Sequence, residues 1–452
     1  MTKRPRYRLL AHLAFLATGL LVPLLAIAPL VSPRTEAAEQ VTQAATTPIY
    51  LPLVSKAPAV PPGTALPPEL LGKPMAVDGN APAYVEGTIY NSTKELAVWI
   101  PPNRQVVRGI LFMNGTASRP SPGDLDWRIG VAQQRMLAMR QLASLWGFGL
   151  VTGTFWGQKD EVQRLNAAIQ ELATTTGHRE LVHAPMVIVG GSRFGGLCRD
   201  QAAKAFSGRI IACVIEVFWP SATTTSNIGI PTMVIAGERD HGQEIIDSVR
   251  SIRREGSLIS AVMLWGIGHN CDRCKDVTWP YLDQVIRHRV PADADPRNGP
   301  VALRPYVEDQ GYLGDFETWA SIASYQTYSK DKRTAAWLPN HYSAAIWRNF
   351  TVKTPSVRIT EPTSPYQWAN GFTQKPSSRR ASEPITLVAE IKAPVSGELS
   401  FYDGDVFLGK GTVSADGKKV TLANVQLAPG MHSIVVMNGS VPVSWPAGII
   451  LL

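Results

Sequence analysis

The sequence predicts an α/β fold with a mostly parallel central sheet, followed by a small all-β sandwich. Two observations carry this reading. Between residues 108 and 265, short apolar runs alternate with segments of helical period. Beyond Pro355 the helical period vanishes, and short alternating runs punctuated by Asp-Gly and Pro-Gly pairs take over.

The elements follow in order. Tyr84–Tyr90 and Glu95–Ile100 alternate apolar and polar residues, as early antiparallel strands do. Arg108–Met113 is a short apolar strand ending in Asn114-Gly115. Val131–Leu145 has apolar residues at helical spacing, and Phe148–Phe155 reads as a buried strand. Val162, Leu165, Ile169 and Leu172 fall on one face of an amphipathic helix. Met186–Val189, Ile210–Phe218, Thr232–Ala236 and Leu258–Trp265 are further buried strands. Strands alternating with helices build a parallel sheet covered on both faces. Residues 300–350 are rich in aromatics, and Ala320–Tyr328 and Tyr342–Phe350 are expected to be helices. Their rings either pack on the sheet or line a substrate cleft. Glu398–Phe401 and Val406–Leu408 flank Asp403-Gly404, the signature of a hairpin.

The 452 residues carry 44 basic and 36 acidic side chains, a net charge of +8. Residues 1–38 hold five basic residues (Lys3, Arg4, Arg6, Arg8 and Arg34) against Glu36 alone, so half of that charge lies there. A basic start followed by the apolar run Leu9–Val31 and by Ala37-Ala38 has the layout of a signal peptide; an uncleaved anchor is the alternative. The chain is therefore expected to be secreted or held at the cell surface. With no basic helix or clustered basic patch downstream, a nucleic-acid partner is not expected. Residues 39–75, rich in Pro, Ala, Thr and Val, read as a linker. The expected organisation is a signal at 1–38, this linker, an α/β domain at 76–352 and a β-sandwich at 353–452.

The chemistry is concentrated in Val187-Ile-Val-Gly-Gly-Ser-Arg-Phe-Gly-Gly196. A buried strand runs into a glycine-bracketed serine, the setting of a nucleophile elbow, where a tight turn lifts the Ser192 hydroxyl above the sheet. The pattern G-x-S-x-G is not met literally. One register makes Ser192 the nucleophile and puts Phe194 in a place that is normally small. The other puts Arg193 at the nucleophile position and leaves the site silent. Downstream, Ile230-Pro-Thr-Met-Val-Ile-Ala-Gly-Glu-Arg-Asp240 is a strand ending in Gly-x-x-Asp, and Gly266-Ile-Gly-His269 follows the next strand. A serine hydroxyl is a weak nucleophile until a histidine takes its proton and a carboxylate orients that histidine. Ser192, Asp240 and His269 stand in that order, each after a strand. Glu238, on the same loop, and Glu216, in the preceding strand, compete with Asp240 as the acid. Of the eight histidines, His241, His269, His288, His341 and His432 all follow the serine; the G-x-G-H turn singles out His269.

These motifs resemble those of α/β-hydrolase serine esterases. With Ser192 as nucleophile, Gly190-Gly-Ser-Arg-Phe-Gly195 is similar to the G-C-S-R-x-G elbow of glucuronoyl esterases, with Gly191 in place of the cysteine. The resemblance implies that Arg193 helps hold the oxyanion, that Glu216 is an alternative acid position, and that a disulfide joins the elbow and the histidine loop. The loop after Arg108–Met113 offers backbone N–H groups of Gly115 or Thr116 as further oxyanion donors. The four cysteines, Cys198, Cys213, Cys271 and Cys274, permit three pairings. A bridge between Cys198 and the Cys271/Cys274 pair would tie the elbow to His269, leaving Cys213 as a buried thiol. No metal half-site complements His269, Cys271 and Cys274, so neither metal nor other cofactor is expected. The tail from Gly397 to Gly409, with Leu427-Ala-Pro-Gly-Met-His432, resembles bacterial Ig-like domains, which implies a spacer or adhesion module.

The expected function is cleavage of carboxylic esters, of a polysaccharide, polyester or lipid, through a Ser-His-Asp triad and an acyl-enzyme. The competing readings are a silent hydrolase fold used for binding, and a surface adhesion protein in which the Ig-like part contacts the cell surface or a polymer.

Overall fold

The computed structural model describes residues 88–91, 96–101, 104–114, 139–153, 161–195, 206, 208–217, 228–269, 271, 273–362 and 383–451. Residues 1–38 and 39–75, expected to be a signal and a linker, lie outside the described residues. So do Gly115, Thr116 and Cys198.

The central sheet has eight strands in the order β1-β2-β4-β3-β5-β6-β7-β8. β1 (Thr88–Asn91), β2 (Leu96–Ile100) and β4 (Phe148–Gly153) meet antiparallel, and from β4 onward every neighbour is parallel. The parallel core comprises β3 (Gly109–Asn114), β5 (Met186–Gly191), β6 (Ile210–Glu216), β7 (Thr232–Gly237) and β8 (Ile259–Leu264). β6, β7 and β8 are buried at every residue. Continuous Ile, Val, Met and Ala runs form such strands because both faces are covered and neither needs a polar side chain. The helix Gly242–Arg254 packs on β7 and β8, and the helix Lys275–Arg289 packs on β6. This mixed sheet with its strand order fits an α/β-hydrolase fold.

The region after residue 300 departs from expectation. Tyr342–Phe350 lies in a helix, His341–Phe350, but Ala320–Tyr328 does not form one. Residues Ile322–Ser324 (β10) pair antiparallel with Tyr312–Gly314 (β9), which also pairs with Ala336–Leu338 (β11). Tyr325 and Tyr328 pack against the cluster of Leu258, Leu313, Ala335 and Trp337. Three-residue strands are too short to show a period, and the spaced aromatics imitate a helical face. Four of the ten rings, Phe316, Trp337, Trp347 and Phe350, are buried, and the other six pack half-buried against the core clusters, Trp319 stacking on Trp347 at 5.5 Å. The buried Arg253 guanidinium closes the excursion by donating to Glu308 and to the Lys332 and Ala335 carbonyls.

Beyond residue 356 the described chain forms two antiparallel sheets. One runs β12 (Val357–Glu361), β13 (Ile385–Ile391), β17 (Lys419–Val425), β16 (Thr412–Val413). The other runs β15 (Val406–Lys410), β14 (Leu399–Asp403), β18 (Gly430–Asn438), β19 (Val441–Pro442), with β20 (Ala447–Leu451) paired to β18. Their inner faces share one apolar core that includes Ile359, Leu387, Phe401, Val420, Val436 and Ile449. The hairpin at Asp403-Gly404 joins β14 (Leu399–Asp403) to β15 (Val406–Lys410).

This two-sheet part is not a loosely attached spacer. Met431 and Ile450 belong to the core of the α/β part, each worth about 1.5–3 kcal/mol of burial. The Asp403-Gly404 turn seats on the helix His341–Phe350. A Cβ on Gly404 would lie 2.3 Å from the Tyr342 ring, so only glycine permits that approach. Asn349 Nδ2 donates to the Gly404 carbonyl at 3.0 Å, and His341 pairs with Asp405. Asp403 accepts from the Tyr342 hydroxyl at 2.7 Å, the Ser433 N–H at 2.8 Å and His432 Nδ1 at 2.7 Å. Burial alone would lower the His432 pKa, but the hydrogen bond and charge of Asp403 outweigh it and hold the imidazolium above its ordinary value. Burial alone would raise Asp403; the His432, Tyr342 and Ser433 donors hold it below the usual carboxylate range.

This latch makes stability depend on pH. Because folded His432 keeps its proton above the ordinary value of about 6.5, its contribution is complete below that value and is lost as pH rises through the raised one. The Asp403 share is present above its ordinary value and is lost only as pH falls through the depressed one. His432→Gln is expected to cost about 1–3 kcal/mol near pH 6 and distinctly less near pH 9, read from urea midpoints at both pH values. An equal cost at both would contradict this linkage between the latch and pH.

Candidate active site

The parallel strands β5, β6, β7 and β8 are successive neighbours, and each ends at the same edge of the sheet. Ser192, Glu216, Asp240 and His269 lie at or just beyond those four ends. Ligands of open α/β sheets bind at this edge because the chain leaves the sheet there and can be shaped freely.

Ser192 follows β5 directly and opens a short 3-10 turn, Ser192–Gly195. Its φ of 53° is left-handed, a conformation that costs a non-glycine residue of order 1–3 kcal/mol unless its surroundings enforce it. Gly195 is one enforcer: a Cβ there would lie 2.8 Å from Ile215 and 3.3 Å from the Gly190 carbonyl. The strained residue is thus Ser192, the position of the first register. Arg193 and Phe194 continue the turn, and their side chains lie outside the described part.

His269 Nε2 is 2.9 Å from Ser192 Oγ, and His269 Nδ1 is 2.5 Å from Asp240 Oδ2. The three side chains therefore form one hydrogen-bonded row across β5, β7 and β8. A neutral imidazole that donates from Nδ1 to the carboxylate presents its Nε2 lone pair to the serine hydroxyl. The row is open to solvent, with the His269 side chain 52 % exposed and Asp240 23 %.

The loops bearing Asp240 and His269 are joined by their backbones. Arg239 N–H donates to the Ile267 carbonyl at 2.9 Å and Glu238 N–H to the Leu264 carbonyl at 3.0 Å. Glu238, weighed as a rival acid, has a different task. Its Oε2 accepts the Gly266 N–H at 2.6 Å, and its Oε1 lies 3.5 Å from Lys353 Nζ. Sequence reading missed this role; the signal available was a second acid two residues before Asp240, upstream of the glycine-rich turn that carries His269.

Glu216 is buried at the end of β6, and its Oε1 is paired with Lys275 Nζ. Cys274 Sγ lies 3.4 Å from the same oxygen. The described hydrogen bonds of His269 run to Ser192 and Asp240, not to Glu216. Lys275, the first residue of its helix, had not been singled out. It explains how a carboxylate is tolerated at a site 7 % exposed.

The expected bridge from Cys198 to the histidine loop is overturned. Cys271 and Cys274 are bonded to each other, with Cα atoms 5.1 Å apart across one turn. Proximity along the chain decides it: the turn before the helix Lys275–Arg289 brings the two sulfurs together without help from another element. Cys213, expected as a plain buried thiol, is also disulfide-bonded. Glu216, Cys271 and Cys274 bring ligand atoms within 4.8 Å of one another. Both sulfurs are consumed in the bridge and the carboxylate is held by Lys275, so these three offer no thiolate to a metal.

No family model matches the chain, and no curated protein matches it. Among solved structures it is similar to an esterase of Pyrobaculum calidifontis, at 12% identity and a TM-score of 0.32, over 42% of this chain and 80% of that one. It is also similar to a doubly substituted form of the esterase rPPE, at 13% identity and a TM-score of 0.27, over 41% of this chain and 71% of that one. Likeness this slight bears on neither activity nor substrate.

Two glycines of the site separate packing from permissiveness. A Cβ on Gly237 would lie 2.3 Å from the Gly268 carbonyl oxygen, a backbone atom of the histidine loop. A Cβ on Gly191 would meet only Glu216 Oε2, at 3.9 Å. Gly237→Ala is expected to cost about 1–3 kcal/mol in urea unfolding, whereas Gly191→Ala should stay within about 1 kcal/mol of the unsubstituted chain. Equal effects would contradict the close apposition of the two loops.

Proposed function

We propose that the protein is an exported serine hydrolase that cleaves carboxylic esters through an acyl-enzyme. The observation that carries this is the row Ser192–His269–Asp240, with the serine in a left-handed turn at the end of a parallel strand. In this reading Ser192 Oγ attacks the ester carbonyl while His269 Nε2 takes its proton. Asp240 keeps the imidazole in the tautomer with Nδ1–H and stabilises the imidazolium. The tetrahedral intermediate collapses as His269 returns the proton to the departing alcohol oxygen. Water then repeats the sequence on the acyl-serine and releases the acid.

Arg193, next to Ser192, and the backbone amides of Gly115 and Thr116 are proposed to hold the oxyanion, on the strength of sequence position. Export rests on residues 1–38, and the proposed substrate is an extracellular ester of a polysaccharide, polyester or lipid. The exposure of the His269 side chain, 52 %, suits a polymer or interface substrate.

A fluorophosphonate probe is expected to label the purified chain at Ser192, with labelling lost in Ser192→Ala. On short-chain p-nitrophenyl esters, Ser192→Ala should lower kcat by roughly four to six orders of magnitude and Asp240→Asn by about four. A folded protein that neither labels nor hydrolyses would overturn the proposal in favour of a silent, binding hydrolase fold.

A further inference from the structure

The histidine loop does not end at the α/β part. From His269 the chain enters the ring closed by Cys271 and Cys274, and from Cys274 it enters the helix Lys275–Arg289. Three side chains at this junction carry its contacts, and two of them, Arg273 and Asp276, lie 4.0 Å apart and face the same C-terminal segment. Lys275 runs inward to Glu216 on β6, the strand beside the one that bears Ser192. Arg273, inside the disulfide ring, reaches the C-terminal two-sheet part. Its guanidinium carbon stands 3.9 Å from the centre of the Trp445 ring, and its Nη2 donates to the Pro446 carbonyl at 3.3 Å. Asp276, fully buried, accepts the Gly448 N–H at 3.1 Å, within β20 and three residues after Trp445. Trp445 is held in turn, because its indole N–H donates to the Val352 carbonyl at 2.7 Å.

We propose that the C-terminal two-sheet part is a positioning element of the hydrolytic site, and that Arg273 is the residue through which it acts. This rests on the reading of Ser192, His269 and Asp240 as a triad. Arg273 sits four residues after His269 in a ring whose own closure leaves it few conformations. Docking that ring on Trp445 fixes the end of the loop opposite to Glu238, which holds Gly266 at its start. His269 is thus suspended between two anchors, one on the acid loop and one on the far sheets. Its reach of 2.9 Å to Ser192 Oγ depends on both. A flat, planar cation stacked on indole suits this task better than an apolar contact, since it is directional and keeps its hydrogen bond to Pro446. The sandwich is then neither a spacer nor solely an adhesion module. Its last strand region is part of what makes the serine reactive.

The test uses the full chain with Arg273→Ala, Arg273→Met and Trp445→Phe. Arg273→Met keeps the side-chain volume, so it separates loss of the stack from loss of packing. The three are measured for kcat and KM on a short-chain p-nitrophenyl ester, and for amide hydrogen exchange in peptides covering residues 266–278. Arg273→Ala and Arg273→Met are expected to lower kcat by roughly 10- to 100-fold with KM little changed, since a displacement of about 1 Å from the reacting geometry has that effect. Exchange in 266–278 should rise while that of β5 to β7 stays as in the unsubstituted protein. Trp445→Phe, which keeps an aromatic face, should retain most of kcat. Wild-type kcat together with unchanged exchange in Arg273→Ala would overturn the proposal. If instead the unsubstituted chain neither hydrolyses the ester nor labels with fluorophosphonate, the hydrolase reading fails. The exchange result then still decides whether the far sheets hold the histidine loop.

Discussion

Everything at the candidate site depends on one contact, the 2.9 Å approach of His269 Nε2 to Ser192 Oγ. The two residues are 77 positions apart and sit on loops from β5 and β8, separated in the sheet by β6 and β7. No local preference brings them together. The sheet sets their coarse spacing through the parallel register of four strands, and the loops set the rest. A left-handed φ at Ser192 aims the hydroxyl, while Glu238 and the close apposition of Gly237 to Gly268 bind the histidine loop to the acid loop. Each device is costly alone. Strain at Ser192 is tolerated because Gly195 lets the following turn pass against Ile215, and the buried Glu216 is tolerated because Lys275 reaches it.

Much of this was legible in the chain, for identifiable reasons. Buried parallel strands are written as uninterrupted Val, Ile, Met and Ala, so β5 to β8 stand out, and the glycine-bracketed Ser192 and the G-x-G-H turn follow two of them. A serine, an acid and a histidine in that order mark the loops to examine. The choice among Asp240, Glu238 and Glu216 is not written there, because it depends on which carboxylate the imidazole faces in space. Three acids with similar sequence credentials take three partners: His269, the Gly266 amide and Lys275. The disulfide was misjudged for a related reason. The resemblance to glucuronoyl esterases favoured a long-range bridge, whereas a Cys-x-x-Cys turn closes on itself more easily. The three-stranded sheet β9 to β11 was missed because strands of three residues show no period, and spaced aromatics imitated a helix.

The C-terminal sheets change what the protein is physically. A sequence ending in hairpin signals reads as an appended module. Its inner face does form a separate core, yet Met431 and Ile450 pack into the α/β part, and Asp403, His432 and Tyr342 form a polar latch at the seam. The Asp403-Gly404 pair shows why the sequence understates this. It has the residues of any tight hairpin turn, but Gly404 is also required for the approach of Tyr342, and the Asp403 carboxylate collects three donors from both sides. Turn chemistry and docking chemistry use the same residues, and only one of these shows in the one-dimensional pattern.

The proposed reaction requires that Ser192 become covalently acylated. The most direct measurement mixes the full chain with p-nitrophenyl acetate, quenches in acid within the first turnovers and reads the intact mass, then locates the adduct by peptide sequencing. One acetyl group per chain is expected, on the peptide containing Ser192, and none in His269→Ala. Release of p-nitrophenol with no adduct on Ser192, or with the acetyl group on another residue, would contradict it.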